Sequence, residues 1–225
     1  MSDAIASRAA QLRAQIEEEL RACGRAPGSV RLLAVSKRQP AAVIAQAAAA
    51  GLDAFGENYV QEAKAKFADP QLAGTRIEKH YIGHIQTNKA RAIVETFDVV
   101  QSVDRPEAAR ALGQAAAKAG RVLPVLVQLN ISPAERFGCP PEAAADLAAA
   151  IAAQAGLRLD GVMAIGPLDA APPEIATAFA LAAKTFAALG GSTLSIGMSG
   201  DWREAVRAGS TMVRIGTALF GERRQ

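Results

Sequence analysis

Apolar and polar positions along this chain switch repeatedly between two patterns, continuous apolar runs and stripes at spacings of three and four. The first stripe, Ile5, Ala9, Leu12, Ile16 and Leu20, predicts an amphipathic helix from about residue 2 to residue 23, with Gly24 as its stop. Pro27 and Gly28 then turn the chain into Arg31-Leu-Leu-Ala-Val-Ser-Lys37, an apolar run that reads as a buried strand ending on a lysine. Pro40 stands as the first residue of an Ala-rich helix that runs to Gly51.

The alternation continues from there. Strands are predicted over 53–56, 77–83, 98–103, 122–130, 157–165, 193–196 and 211–215. The helices between them fall over 59–67, 88–96, a segment capped by Asp104 and ending near Gly120, 142–154, 173–189 and 201–208, and Thr217-Ala-Leu-Phe follows the last strand. Residues 122–130 are the most continuously apolar, as suits a strand buried on both faces. Eight strands alternating with helices predict an α/β fold, a single closed (β/α)8 TIM barrel with an extra N-terminal helix. No long, low-complexity or strongly charged connection interrupts it, so one domain is expected over 1–225.

Composition narrows the function. Half the residues are apolar but only 4% are aromatic, so small aliphatic side chains must fill the interior and base-stacking platforms are disfavoured. The formal charge of +3 is scattered apart from Arg223-Arg224, which gives no reason to expect nucleic acid as a partner. Cys23 and Cys139 lie far apart without metal-ligand spacing, so we expect no metal, ordinary thiols and a reducing compartment. No apolar signal core opens the chain and no run is long enough to cross a membrane, so a cytoplasmic protein without membrane contact is expected.

The candidate chemistry centres on Lys37. A lysine at the carboxyl end of a central parallel strand enters the mouth of an α/β fold, where such folds place their active groups. Desolvation there favours the neutral amine, which forms an imine with a carbonyl compound. Two later turns supply a context. In Ser195-Ile-Gly-Met-Ser-Gly-Asp201 the Ser199 hydroxyl and the amides near Gly200 stand at a helix start, and in Val213-Arg-Ile-Gly-Thr217 residues Gly216 and Thr217 begin a short helix after the eighth strand. The loops after strands seven and eight are where barrels recurrently bind phosphate. A strand-terminal lysine, two such turns and Arg214 together suggest a phosphorylated aldehyde held as an imine.

The same residues carry a family resemblance. Ala34-Val-Ser-Lys37, Phe55-Gly-Glu-Asn-Tyr59 with Gln61-Glu62, His80-Tyr-Ile-Gly-His-Ile-Gln-Thr-Asn-Lys89, Gly197-Met-Ser199 and Arg214-Ile-Gly-Thr217 resemble the pyridoxal phosphate homeostasis proteins, in order and through nearly the whole chain. That family is similar to the N-terminal barrel of alanine racemase. The resemblance implies that Lys37 carries the cofactor pyridoxal 5'-phosphate (PLP), that Arg214 faces its pyridine nitrogen, that Ser199, Gly216 and Thr217 hold its phosphate, and that Asn58 lies beside the ring.

An arginine beside the ring nitrogen disfavours protonating the pyridine and makes it a poorer electron sink. Racemisation also needs an acid or base on each face of the substrate carbon, and Lys37 serves only one. In alanine racemase the opposing tyrosine comes from the C-terminal β-domain of a partner subunit, and no such domain is expected within residues 1–225; Tyr59 and Tyr81 read as packing residues near strand ends. His84 either lines the mouth or bonds nearby backbone at a helix entry. Glu57 reads as pairing with a surface lysine or orienting a loop, and Trp202 as a packing cap on the rim. The leading expectation is a monomeric, non-enzymatic PLP carrier that supplies PLP-dependent apoenzymes. The alternatives are an amino-acid racemase and an imine-forming aldolase acting on a sugar phosphate.

Overall fold

The computed structural model describes residues 2–134 and 136–221, so the Arg223-Arg224 pair lies outside the described residues. Eight parallel strands follow one another around a closed barrel: β1 (Arg31–Val35), β2 (Ala54–Glu57), β3 (Glu78–Tyr81), β4 (Val99–Val103), β5 (Leu123–Asn130), β6 (Leu157–Ile165), β7 (Thr193–Ser195) and β8 (Met212–Ile215), with β8 paired back onto β1. The helices are α1 (Ser2–Ala22), α2 (Ala41–Ala49), α3 (Val60–Phe67), α4 (Ala90–Thr96), α5 (Pro106–Lys118), α6 (Ala144–Ala152), α7 (Pro172–Leu189), α8 (Trp202–Arg207) and α9 (Thr217–Phe220). The chain therefore forms the predicted barrel with its additional N-terminal helix. Among the described residues no helix is long and apolar enough to cross a membrane.

All five residues of the first apolar stripe are buried, and α1 packs them against α2, α8 and α9. The helix covers the flank of the barrel at the β8–β1 side, where Leu32, Ala34, Val213 and Ile215 present their outward side chains. Trp202 lies in this same cluster at 4% exposure, with the Arg203 guanidinium 4.3 Å above its ring, so it is a core residue more than a rim cap. A second cluster joins the other helices to β3 through β7. Gly24 ends α1 in a left-handed conformation, as expected of a helix stop.

Several boundaries differ from the sequence pattern for identifiable reasons. The first strand stops at Val35, so Lys37 lies in a turn two residues beyond it. Pro40 precedes α2 with extended geometry (ψ 160°) and is its N-cap, not its first residue. Asp104 does not cap α5: Pro106 occupies the first helical position, which makes Arg105 the N-cap, and the Asp104 carboxylate pairs with Arg105 instead. β3 is shorter than the predicted 77–83 and β5 begins after Val122, which is exposed.

The barrel closes through a thin seam. β7 and β8 share only the pair Ser195–Met212 in strand register. Side chains supplement it: the Leu194 N–H donates to Thr211 Oγ1 (2.8 Å), and the buried Ser210 hydroxyl sits 2.9 Å from the carbonyls of both Ile196 and Met212. On the other side, β6 reaches its register by skipping Asp160, since Leu159 pairs with Val125 and Gly161 with Leu126. Gly161 has φ 141°, and a Cβ there would lie 2.0 Å from the Thr193 carbonyl oxygen. This bulge sets the phase of β6, sending Val162 and Ala164 to the helix layer and Met163 and Ile165 into the barrel mouth. Gly161→Ala is therefore expected to lower stability by about 1–3 kcal/mol through forced displacement of β7, measured by urea unfolding; an unchanged midpoint would show that the bulge is not constrained by β7.

Candidate functional site

The carboxyl ends of β7, β8, β1 and β2 are neighbours in the barrel, and the segments leaving them enclose a cavity of about 280 Å3. All six residues singled out from the sequence line it: Lys37 after β1, Asn58 after β2, Ser199 after β7, Arg214 on β8, and Gly216 and Thr217 after β8. Val35, Ile82, Met163, Ile165 and Met198 complete an apolar wall that the sequence reading did not single out. These residues are ordinary apolar members of strands or turns, and nothing in the pattern distinguishes them from core.

The turn carrying Lys37 is held from below. The Ser36 N–H donates to the Gly56 carbonyl (3.0 Å), the Gln39 N–H closes onto Ser36 O (2.9 Å), and Arg38 adopts φ 63°, an uncommon conformation for a non-glycine residue. Lys66 of α3 anchors this arrangement. Its ammonium donates to Ser36 O (2.9 Å), Glu57 Oε1 (2.6 Å) and Glu62 Oε1 (2.8 Å), which accounts for all three of its protons. Glu62 Oε1 also accepts from the Arg38 N–H (2.5 Å), and Glu57 Oε1 from the Ser36 hydroxyl (2.7 Å). Both backbone neighbours of Lys37 are thus gripped by one buried ionic cluster. Glu57 pairs with a lysine as anticipated, but the lysine is buried and not at the surface. Burial pushes the Glu57 carboxyl up, and the bonds from Lys66 and Ser36 oppose that shift. The signal in the sequence was the Glu62–Lys66 spacing of four on α3.

Arg214 points into the barrel with 4% exposure. Its guanidinium donates to Ser195 O (2.5 Å) and Ser195 Oγ (2.9 Å) through Nη1, and to Ala164 O (2.8 Å) through Nη2. Burial lowers its pKa to about 10, an effect that the charge of Asp201 partly offsets, so it remains a cation at neutral pH. Asp201 accepts the Met198 N–H (2.5 Å) and bends the Gly197-Met-Ser199 turn toward the cavity. Desolvation raises the Asp201 carboxyl, while that N–H and Arg214 pull it down. At the same end the Ala218 N–H reaches Ser199 Oγ (3.4 Å), which ties the turn after β7 to the start of α9.

Asn58 stands between this cavity and a larger one of about 990 Å3 that opens toward the loops after β3 and β5. Its Oδ1 is buried without a hydrogen-bond partner among the described residues. Gly83 fixes its backbone, because a Cβ at that position would lie 2.1 Å from Asn58 O. The larger cavity is bordered by Tyr59, Lys89 and Arg136, and by His84, whose ring stacks on Phe137 at 3.9 Å. Tyr59 is 49% exposed, so it is not the packing residue that the sequence suggested. Tyr81 is buried, its hydroxyl donates to His84 O (2.8 Å), and burial pushes its pKa up to about 12. His84 therefore lines the mouth; its Nδ1 makes no hydrogen bond to backbone among the described residues, so the helix-entry reading does not hold.

An amine, a buried guanidinium, two hydroxyls and an unpartnered amide oxygen converge on one small cavity. That donor set fits a compact ligand that carries a carbonyl at one end and an anion at another. Comparison with known proteins agrees with this chemistry. Residues 8–224 match the alanine racemase N-terminal domain family. The pyridoxal phosphate homeostasis protein of Pseudomonas aeruginosa is 46% identical over 222 residues, covering 97% of this chain and 96% of the relative. The pyridoxal phosphate homeostasis protein of Escherichia coli is 43% identical over 229 residues, covering 97% of each chain. The structure of PipY from Synechococcus elongatus with PLP bound superposes with a TM-score of 0.84 at 38% identity, covering 96% of this chain and all of that one. Matching residues along nearly the full length and a shared barrel lead to one conclusion: the chain belongs to the family of pyridoxal phosphate homeostasis proteins, within the alanine racemase N-terminal domain fold.

Proposed function

We propose that this chain holds PLP in the 280 Å3 cavity, attached covalently through the Lys37 amine, and serves as a monomeric cytoplasmic carrier that keeps the free aldehyde scarce and supplies apoenzymes. The observation that carries this reading is the convergence of Lys37, Arg214, Ser199 and Thr217 on one cavity at the carboxyl ends of adjacent strands. When bound, PLP supplies an aldehyde that condenses with a primary amine and a pyridine ring that can accept electron density.

The roles of the chain's own residues follow from their positions. The Lys66–Glu57–Glu62 cluster holds the turn on which Lys37 is presented. Ser199 and Thr217, with the backbone at Gly216, form the end of the cavity suited to a dianion. Arg214 brings a cation to the ring side, where it disfavours a proton on the pyridine nitrogen. Asn58 Oδ1 offers a buried acceptor beside the same wall.

A racemase or aldolase reading requires an acid or base opposite Lys37. Tyr81 is committed to His84 O, and its elevated pKa makes it a poor base at neutral pH. These features, together with Arg214, support binding without turnover.

Borohydride reduction of the loaded protein followed by peptide mapping should place the pyridoxyl group on Lys37; finding it mainly on Lys89, the lysine of the larger cavity, would sink the attachment site. Replacing Ser199 or Thr217 by alanine should weaken retention of PLP by about 10–100-fold, on the scale of one hydrogen bond to a charged group, and should weaken retention of unphosphorylated pyridoxal far less. Equal losses for both ligands in equilibrium dialysis would show that these side chains only shape the backbone. Loss of one acid/base group costs about 10²–10⁴ in rate, so the loaded protein should not interconvert L- and D-alanine on chiral chromatography. Sustained conversion that disappears in Lys37→Ala would identify an enzyme instead.

A further inference from the structure

A line of polar side chains crosses the barrel interior that the proposed function does not use. Glu78 is the first residue of β3, at the mouth opposite the cavity, and its side chain is 36% exposed. Behind it lie His80 (2% exposed), Gln101 and Ser195 (both fully buried), and then Arg214. The contacts are continuous: Glu78 Oε2 to His80 Nε2 at 3.0 Å, His80 Nδ1 to Gln101 Nε2 at 2.9 Å, Gln101 Oε1 to Ser195 Oγ at 2.7 Å, and Ser195 Oγ to Arg214 Nη1 at 2.9 Å.

Chemistry gives this line a single direction. Arg214 can only donate, so Ser195 Oγ accepts there and its own proton goes to Gln101 Oε1. The Gln101 amide then turns its NH2 toward His80 Nδ1, with the Met212 sulfur 3.2 Å from the same nitrogen. His80 is left protonated on Nε2, which donates to the Glu78 carboxylate, and Glu78 in turn accepts from Arg31. Every bond points the same way, from a buried cation at one mouth to a carboxylate at the other. Hydrogen bonds aligned in this manner polarise one another.

We propose that Gln101 and His80 are positioning residues for Arg214: through Ser195 they hold its guanidinium on the cavity and couple the charge presented to the cofactor ring to Glu78 at the opposite mouth. This rests on the proposed placement of PLP beside Arg214. Packing alone would be served equally well by apolar side chains of the same size, since buried polar groups are tolerated only when fully bonded. The line has no broken link among the described residues.

The test begins on the cofactor-free wild type and needs no variant. Long-range nitrogen–proton NMR at pH 7 should show His80 as the Nε2-protonated tautomer. The chain has only two histidines, so loss of the other signal in His84→Gln completes the assignment. An Nδ1-protonated ring or an imidazolium overturns the inference whether or not PLP binds. Titration with PLP should then shift the His80 ring resonances. In Ser195→Ala and in Gln101→Leu that shift should fall by at least half and PLP affinity by about 2–10-fold, the scale of one neutral hydrogen bond, while Ser195→Thr should restore both. An undiminished His80 shift in either variant that retains the wild-type circular dichroism, or no shift in a wild type that binds PLP, would falsify the coupling. A wild type that binds no PLP refutes the proposed function, and the tautomer then decides the line by itself.

Discussion

A guanidinium buried to 4% exposure inside a barrel is largely cut off from bulk solvent, and that constraint organises the carboxyl end of this protein. An uncompensated buried cation costs several kcal/mol, so acceptors must be supplied by the fold. Two strands supply them to Arg214, which β8 carries: β7 gives Ser195 O and Oγ, and β6 gives Ala164 O. The phase of β6 that brings Ala164 O to this point depends on the bulge at Gly161. The β7–β8 seam, thin in strand pairing, is thereby reinforced from within, because the Arg214 side chain bridges it. A group that lines the candidate cavity thus also contributes to closing the barrel.

Lys37 depends on a different buried charge. Its turn is short and contains a residue at positive φ, an arrangement that persists only where surrounding bonds over-determine it. Lys66 provides those bonds with a complete set of three acceptors, two of them carboxylates. Removing Lys66 would leave Glu57 buried and unpaired, a change that typically costs about 3–5 kcal/mol. The turn that carries Lys37 and the guanidinium of Arg214 are thus held by separate polar systems on opposite sides of β1.

Much of the fold was legible because it follows from short-range periodicity. The stripe Ile5 to Leu20 has one buried face wherever the helix docks, and the apolar run 122–130 suits a strand covered on both sides. Even the brief strands β2 and β7 were found, since glycine and turn residues bracket them. Boundaries were less legible. Asp104 has the right chemistry for a cap, but proline geometry gave the position to Arg105, and the end of β1 was set by where β2 stops pairing with it.

The sequence alone determined the barrel, the lysine after its first strand and the two small-residue turns after its last strands, because each is written in contiguous residues with a fixed period or spacing. Family resemblance added the expectation that Asn58 and Arg214 lie beside a cofactor ring. Only the tertiary structure decided that these residues, up to 180 positions apart, face one cavity of about 280 Å3. It alone revealed the Lys66 cluster beneath Lys37 and the line from Glu78 to Arg214. The physical reason is that a buried polar group is defined by its partners. Those partners come from different strands and helices, and no local pattern records which acceptor a distant donor will meet once the barrel has closed.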